Sequence, residues 1–264
     1  MFLTAGIDLS GLVPGLKSAD TLDGAVGLIP AWPEEDVLIL CGPREAMRAP
    51  WVARAALEHD RVAIVTIPGT PTRQAAIASL VLSIPTSHLG VAQAVVDASQ
   101  RIVSTRVALT SVSRLEAGRP SMLQHLRSFF PGASFDVDVV TREVTSVKPV
   151  DWSQLPVAMS VEARSEPPGG DGAIAVVAPP AGFHLPVDPA TWKARSWVER
   201  SALPEAPNRM AIALAQRAGC SGCPTCGRPA GPTGCLFCGT DRTSVGAMRS
   251  NRPVNRATTE GARI

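Results

Sequence analysis

The sequence contains no Tyr, and aromatic residues make up only 4% of its 264 positions, so an interior built on stacked rings is excluded. Ala, Val, Leu and Ile must supply the core instead. Lys is scarce as well, three against twenty-two Arg, an Ala- and Arg-rich bias that a GC-rich genome produces without selection on structure. No stretch approaches the roughly 18 apolar residues that a membrane span needs. Met1 to Leu12 has no basic n-region and is interrupted by Asp8, so it does not read as a secretory signal. There is no G-x-G-x-x-G, no G-x-x-x-x-G-K-[ST] and no G-x-S-x-G, which leaves dinucleotide binding, P-loop chemistry and the nucleophile elbow without a signature.

What is present supports a folded chain. Apolar residues reach 45% and charged residues 18%, enough for one large domain or one domain plus a small module. Net charge is +2 but unevenly placed. From Pro207 to Ile264 eight Arg face two acids, a net +6, leaving the first 206 residues at −4. A positive tail on an acidic body suits contact with nucleic acid, an acidic protein or a membrane surface, and is more often simply a soluble tail.

Val37–Cys41 is a continuous apolar run closed by Gly42-Pro43, as for a strand buried on both faces. Pro50 to His59 reads as a helix, and Arg61 to Ile67 as a second buried strand stopped by Pro68-Gly69. Thr70-Pro71 has the form of an N-cap followed by Pro at the first helical position, with the helix running to about Ser83. His88 to Ser99 is helical, Val103 to Leu109 a third strand, and Pro120 to Phe130 a further helix. Ser134 to Val140 alternates Phe135, Val137 and Val139 against Asp136 and Asp138, which predicts a strand with one wetter face. Two acids on one face could hold a cation, although such a pair more often marks the solvated side of an edge strand.

Strand–helix–strand repetition with short connections predicts parallel pairing through right-handed crossovers. The fold expected is therefore α/β: a Rossmann-like layered parallel sheet within residues 1–147, with the residues before Val37 adding an edge strand. Residues 148–206 carry nine Pro and three of the five Trp, and are expected to pack partly on the α/β domain. A strand is expected near Ala173 to Ala178. A helix and a small metal module fill 207–239, with Gly219 as the helix C-cap, and 240–264 form a basic tail without apolar periodicity.

Five of the six Cys fall within nineteen residues, which fits metal ligation in a reducing compartment better than a disulfide framework and points to the cytoplasm. Cys223-Pro-Thr-Cys226-Gly227 and Cys235-Leu-Phe-Cys238-Gly239 are two C-x-x-C-G units eight residues apart. Two Cys in one tight turn aim their sulfurs at a common point, and the Gly that follows supplies the positive φ that closes the turn. The pattern resembles the short zinc-ribbon modules of many bacterial and archaeal proteins, over about Cys220 to Thr240 only. The resemblance implies one zinc held by Cys223, Cys226, Cys235 and Cys238. Four thiolates leave no open position for water, so such a site is structural. An iron–sulfur cluster, a redox Cys pair, and Cys220 in place of Cys223 are the competing readings.

In open α/β sheets ligands sit beyond the carboxyl ends of the strands. There the sequence places Arg44, Thr70, Arg73, Ser113 and Arg114, a set able to cradle a phosphate or carboxylate. The bland alternative is turn and cap residues with solvated Arg. Cys41, at the end of a buried strand, reads as a core thiol. The function expected is a zinc-ribbon binding or scaffold protein, leaning away from catalysis, whose C-terminal region contacts a protein or nucleic acid. The alternative is an α/β enzyme or a nucleotide or phosphate-ligand binder carrying the ribbon as a structural accessory.

Overall fold

The computed structural model describes residues 2–6, 9, 16–29, 36–43, 61–156, 158–165 and 173–240. The expected helix from Pro50 to His59, Arg44, and the tail beyond Thr240 lie outside the described residues.

The chain builds two main sheets. The first contains β1 (Phe2–Ala5), β2 (Lys17–Ala19), β3 (Val37–Cys41) and β4 (Val62–Thr66), all parallel, in the order β2-β1-β3-β4. All five residues of β3 are buried, as its unbroken apolar run requires. The residues before Val37 supply more than an edge, because β1 lies inside the sheet between β2 and β3. Helix α1 (Leu22–Leu28), capped by the Thr21 side chain accepting from Gly24 N at 3.1 Å, covers one face through Leu22 and Ala25. Helix α2 (Pro71–Leu82) covers the other, with Thr70 at its N-cap and Pro71 in its first turn.

The second sheet has six strands in the order β11-β9-β12-β5-β6-β7. They are β5 (Ser104–Leu109), β6 (Phe135–Asp138), β7 (Val144–Ser146), β9 (Met159–Arg164), β11 (Phe183–His184) and β12 (Trp197–Leu203). Here the structure departs from the expected single parallel sheet. β5 pairs antiparallel with both β6 and β12. A strand that follows a helix looks the same in sequence whichever sheet it joins, and the partner that decides the matter, β12, lies some ninety residues downstream. Residues 148–206 accordingly supply three strands of this sheet. They also contain β8 (Val150–Asp151) and β10 (Val176–Val177), a small parallel pair packed over the outer face through Val150, Trp152 and Ile174.

Helix α2 lies between the sheets, against β9 and β12 on one side and β4 on the other, with α3 (Ala92–Ser99) and α5 (Pro207–Ala218) beside it. This position explains why nine of its residues are buried, on every side of the helix. The region expected to be helical from His88 starts as a 3-10 turn, Thr86–Val91, before α3. The helix expected over Pro120 to Phe130 contracts to α4 (Met122–Arg127), closed by a Ser121/Gln124 capping box and burying none of its own residues.

The Asp136/Asp138 pair is not a solvated cation site. Asp136 is 5% exposed, receives Trp152 Nε1–H at 3.0 Å and is ion-paired to Arg106, which also reaches Asp138. Cys41 is fully buried with its Sγ 3.9 Å from the Val65 carbonyl, the environment of a core thiol.

Candidate metal centre

After α5 ends at Gly219, whose φ of 68° suits a C-cap, the chain forms a short hairpin of β13 (Ser221–Gly222) and β14 (Pro229–Ala230). The two knuckles are built alike. Gly227 N donates to Cys223 O and Gly239 N to Cys235 O, both at 2.9 Å. Cys223 N donates to Arg228 O at 2.8 Å and Cys235 N to Thr240 O at 3.0 Å. Gly227 and Gly239 take φ of 75° and 71°, the left-handed conformation that a side chain would resist.

This repetition brings four sulfurs together. The Sγ atoms of Cys223, Cys226, Cys235 and Cys238 all lie within 4.8 Å of one another. Cys223 and Cys238 are separated by 3.5 Å, and Cys226 and Cys235 by 3.6 Å. A disulfide would need about 2.05 Å, whereas a tetrahedral ion with bonds of about 2.3 Å sets sulfurs about 3.8 Å apart. The four residues therefore fit a metal ion. Cys220 is exposed and outside the cluster, which removes it as a competing ligand.

The electrostatics point the same way. The backbone N–H of Cys226, and against the opposing effect of burial that of Thr225, draws the Cys223 thiol down to about 6. Burial pushes Cys235 up to about 12 despite donors at Cys238 and Phe237, its thiol neighbours Cys226 and Cys238 adding to the rise. Sulfurs this close cannot all ionise by themselves, and a divalent cation is the charge that would let them.

The hairpin is fastened to the body at its inner side. Cys223, Ala230, Cys235 and Phe237 are at most 5% exposed and belong to the large core shared with α2, α3 and α5. A Cβ placed on Gly90, in the 3-10 turn, would stand 1.5 Å from the Pro229 carbonyl oxygen, so glycine is what allows the hairpin to seat. Arg228 Nε donates to Asp36 at 3.0 Å while its guanidinium lies 5.3 Å from the Phe237 ring centroid. Asp36 immediately precedes β3, and the 3-10 turn follows the far end of α2. Both contacts lie at the amino ends of the parallel strands, opposite the end where ligands bind in such sheets.

Among the described residues, those expected at the strand ends do not form one cluster. Thr70 caps α2, its buried hydroxyl making no hydrogen bond of normal geometry. Arg73, one turn on, is 5% exposed and its guanidinium is engaged within the protein. It donates to Val103 O at 2.7 Å, Thr105 Oγ1 at 3.1 Å and the Gln100 side chain at 3.3 Å, and burial holds its pKa below the usual arginine value. Ser113 and Arg114 are exposed and follow β5 in the other sheet, with the Ser111 and Ser113 hydroxyls 3.0 Å apart. Arg73 binds at the start of β5 and Arg114 follows its end, across a six-residue strand spanning about 20 Å.

At the head of α2 the structure reveals a group that sequence patterning missed. Glu199, fully buried on β12, accepts from Thr72 N at 3.0 Å, from the Thr72 hydroxyl, and from Trp192 Nε1 at 2.8 Å. The chain's own carboxylate thus occupies the anion position that a helix N-terminus offers. Only the alternation of Glu199 with Trp197 and Ser201 on one strand face hinted at it.

No family model matches the chain, and no curated protein matches it. Among solved structures it is similar to a DegV family protein from Eubacterium eligens loaded with heptadecanoic acid, at 10% identity and a TM-score of 0.51 over 77% of this chain and 99% of that one. A DegV family protein from Corynebacterium glutamicum is also similar, at 9% identity and a TM-score of 0.41 over 78% and 98% of the two chains. The first likeness is one of fold, a mixed α/β architecture with a parallel sheet. The second is too distant to carry an argument. No helix among the described residues is long and apolar enough to cross a membrane.

Proposed function

We propose that the protein is a non-catalytic binding protein whose C-terminal ribbon is held by a structural zinc. The observation that carries this reading is the four-sulfur cluster at tetrahedral spacing on a hairpin whose inner face belongs to the main core. Zinc is favoured over an iron–sulfur cluster because the two knuckles enclose a space suited to one tetrahedral ion. Its four thiolates leave no position for a reacting water, so the metal supplies folding energy rather than chemistry. Cys223, Cys226, Cys235 and Cys238 would hold it, fixing the hairpin on Gly90 and on Asp36.

The binding part of the reading draws on the likeness in fold to a protein loaded with heptadecanoic acid, which supports a small ligand with an acid group. We read the parallel sheet, Rossmann-like in its crossovers, and the six-stranded sheet as the two halves of that binder. Contact of the basic C-terminal region with a partner protein or nucleic acid is a second reading, favoured by its net +6 charge, about +4 once four thiolates hold a zinc. Arg228 contributes little to it, being already paired with Asp36.

Metal analysis of the purified full chain should find about one zinc per molecule, and chelation should expose residues 220–240 to protease and lower the melting temperature. Zinc-free protein whose C-terminal protease resistance is indifferent to chelator would end the structural-zinc reading. Salt-sensitive retention on nucleic acid that is lost on deleting 241–264 would establish the second reading, and unchanged retention would remove it.

A further inference from the structure

Helix α4 is turned inside out. Its polar side chains are the ones that hold it to the body. Gln124 Nε2 donates to Val144 O at 2.7 Å, and Ser128, just past the helix end, accepts from Val112 N at 3.0 Å. Its apolar side chains point the other way. Met122, Leu123 and Leu126 are exposed, and so are Phe129 and Phe130 in the turn that follows, from 54% at Leu126 to 82% at Met122. That turn continues the helix in tightened form, with Phe129 N donating to Leu126 O at 3.2 Å and Phe130 N to Arg127 O at 3.1 Å. A helix that packs on its own core buries its apolar stripe and wets its polar face. Here the order is reversed.

The five residues form one stripe. The pairs 122–126, 123–126, 126–129 and 126–130 are the three- and four-residue steps that align side chains along one side of a helix. Leu126 takes part in all four pairs and so lies at the centre. With an exposed aromatic side chain contributing about 150–250 Å², two rings and three aliphatic chains make a patch on the order of 600 Å². That is the top of the range for the largest apolar patch on a typical monomer, about 300–600 Å².

Two such stripes laid face to face would bury about 1,200 Å² together, the lower limit for a specific, stable protein interface. Among the described residues no other surface of this chain matches the stripe. The remaining exposed large hydrophobics, Leu28, Val140, Val177, Phe183 and Ile212, fall singly on five separate segments. A head-to-tail contact between copies would therefore set the stripe against a poorer surface, whereas a twofold contact sets it against itself.

We propose that the stripe is a dimerisation surface, on which α4 of one copy packs against α4 of a second about a twofold axis near Leu126. The contact carries its own electrostatic signature. No acid occurs between Glu116 and Asp136, while Arg119 and Arg127 are exposed beside the stripe. Pairing two copies brings like charges together, so added salt should strengthen the dimer by screening them. Attraction to an acidic protein or an anionic membrane would respond to salt in the opposite sense.

The test is sedimentation velocity of the full-length, zinc-loaded chain over about 1–300 µM, with reductant present because Cys220 is exposed. An interface of this size should give a monomer–dimer equilibrium with a dissociation constant on the order of micromolar, tighter at high salt than at low. Leu126→Asp and Leu123→Ser/Phe129→Ser should each weaken it at least about tenfold. Ile212→Ser, on α5, should leave it unchanged. Melting of the variants at a concentration where the parent is monomeric should match the parent, since every substituted side chain is exposed.

A chain that stays monomeric throughout this range would overturn the proposal. So would a dimer indifferent to both stripe variants, a dimer weakened by salt, or assembly that grows beyond two copies. A monomer that floats with phosphatidylglycerol vesicles, in a salt-sensitive way lost in Leu126→Asp, would assign the stripe to an anionic membrane surface instead.

Discussion

The two faces of the six-stranded sheet bury carboxylates in opposite ways. On the outer face Glu162 is 1% exposed and lies between two guanidiniums, those of Arg164 and Arg200. Burial alone would raise its pKa, yet hydrogen bonds from Arg200 and Arg164 outweigh it and hold the carboxyl below its ordinary value. On the inner face, against α2, Glu199 is equally buried but meets only neutral donors from Thr72 and Trp192. Burial dominates there, and its pKa is raised. The same residue type, one strand apart and equally dry, is pushed toward opposite charge states. Depth does not decide the charge of a buried acid; the presence of a fixed cation does.

The largest break in this contrast should come from Arg200→Met. Arg200 is 6% exposed at its side chain, and its loss leaves Glu162 with Arg164 and the exposed His184 ring, 3.7 Å away. Breaking a buried pair by removing one partner costs about 3–5 kcal/mol, so denaturant titration should place the variant in that range. A change below about 1 kcal/mol, the value of an exposed pair, would mean that water reaches Glu162. On the inner face Thr72→Val removes the hydroxyl donor to Glu199 but keeps the backbone one, and should cost about 1–3 kcal/mol.

The smallest effects are those of charge neutralisation, and they should differ in sign with pH. Glu162 has a depressed folded pKa, so its stabilisation is present above the unfolded value near 4.5 and is lost as pH falls through the folded value. Glu199 has a raised folded pKa, so its contribution is intact below about 4.5 and declines as pH rises toward the folded value. Glu162→Gln should therefore flatten the acid limb of the stability profile, and Glu199→Gln the limb above pH 4.5. Chemical denaturation across pH 3 to 8 measures both. Identical profiles for the two variants would mean that the two buried acids do not differ in charge state.

Legibility in the sequence followed the distance over which a signal acts. The knuckles were readable because each is closed by residues within five positions, and Gly227 and Gly239 adopt the positive φ that their place after the second Cys predicts. Strands β3 and β4 and helix α2, with its Thr70-Pro71 start, were readable from unbroken apolar runs and cap chemistry. Arg73 was visible as a residue near a strand end, but nothing local told that its guanidinium would turn inward to Val103 and Thr105. Nor could alternation along Phe135 to Val139 show that Arg106 and Trp152 cover Asp136 while Asp138 stays partly exposed.

By itself, then, the amino-acid sequence determined which four sulfurs could hold a metal ion, the parallel strands that precede them and the uneven charge along the chain, because these arise from covalent proximity, short-range periodicity and composition. Only the tertiary structure decided that β5 joins an antiparallel sheet and that Glu199 caps α2. Each of those joins residues dozens of positions apart, and such contacts form only when whole layers pack, so no local pattern carries them.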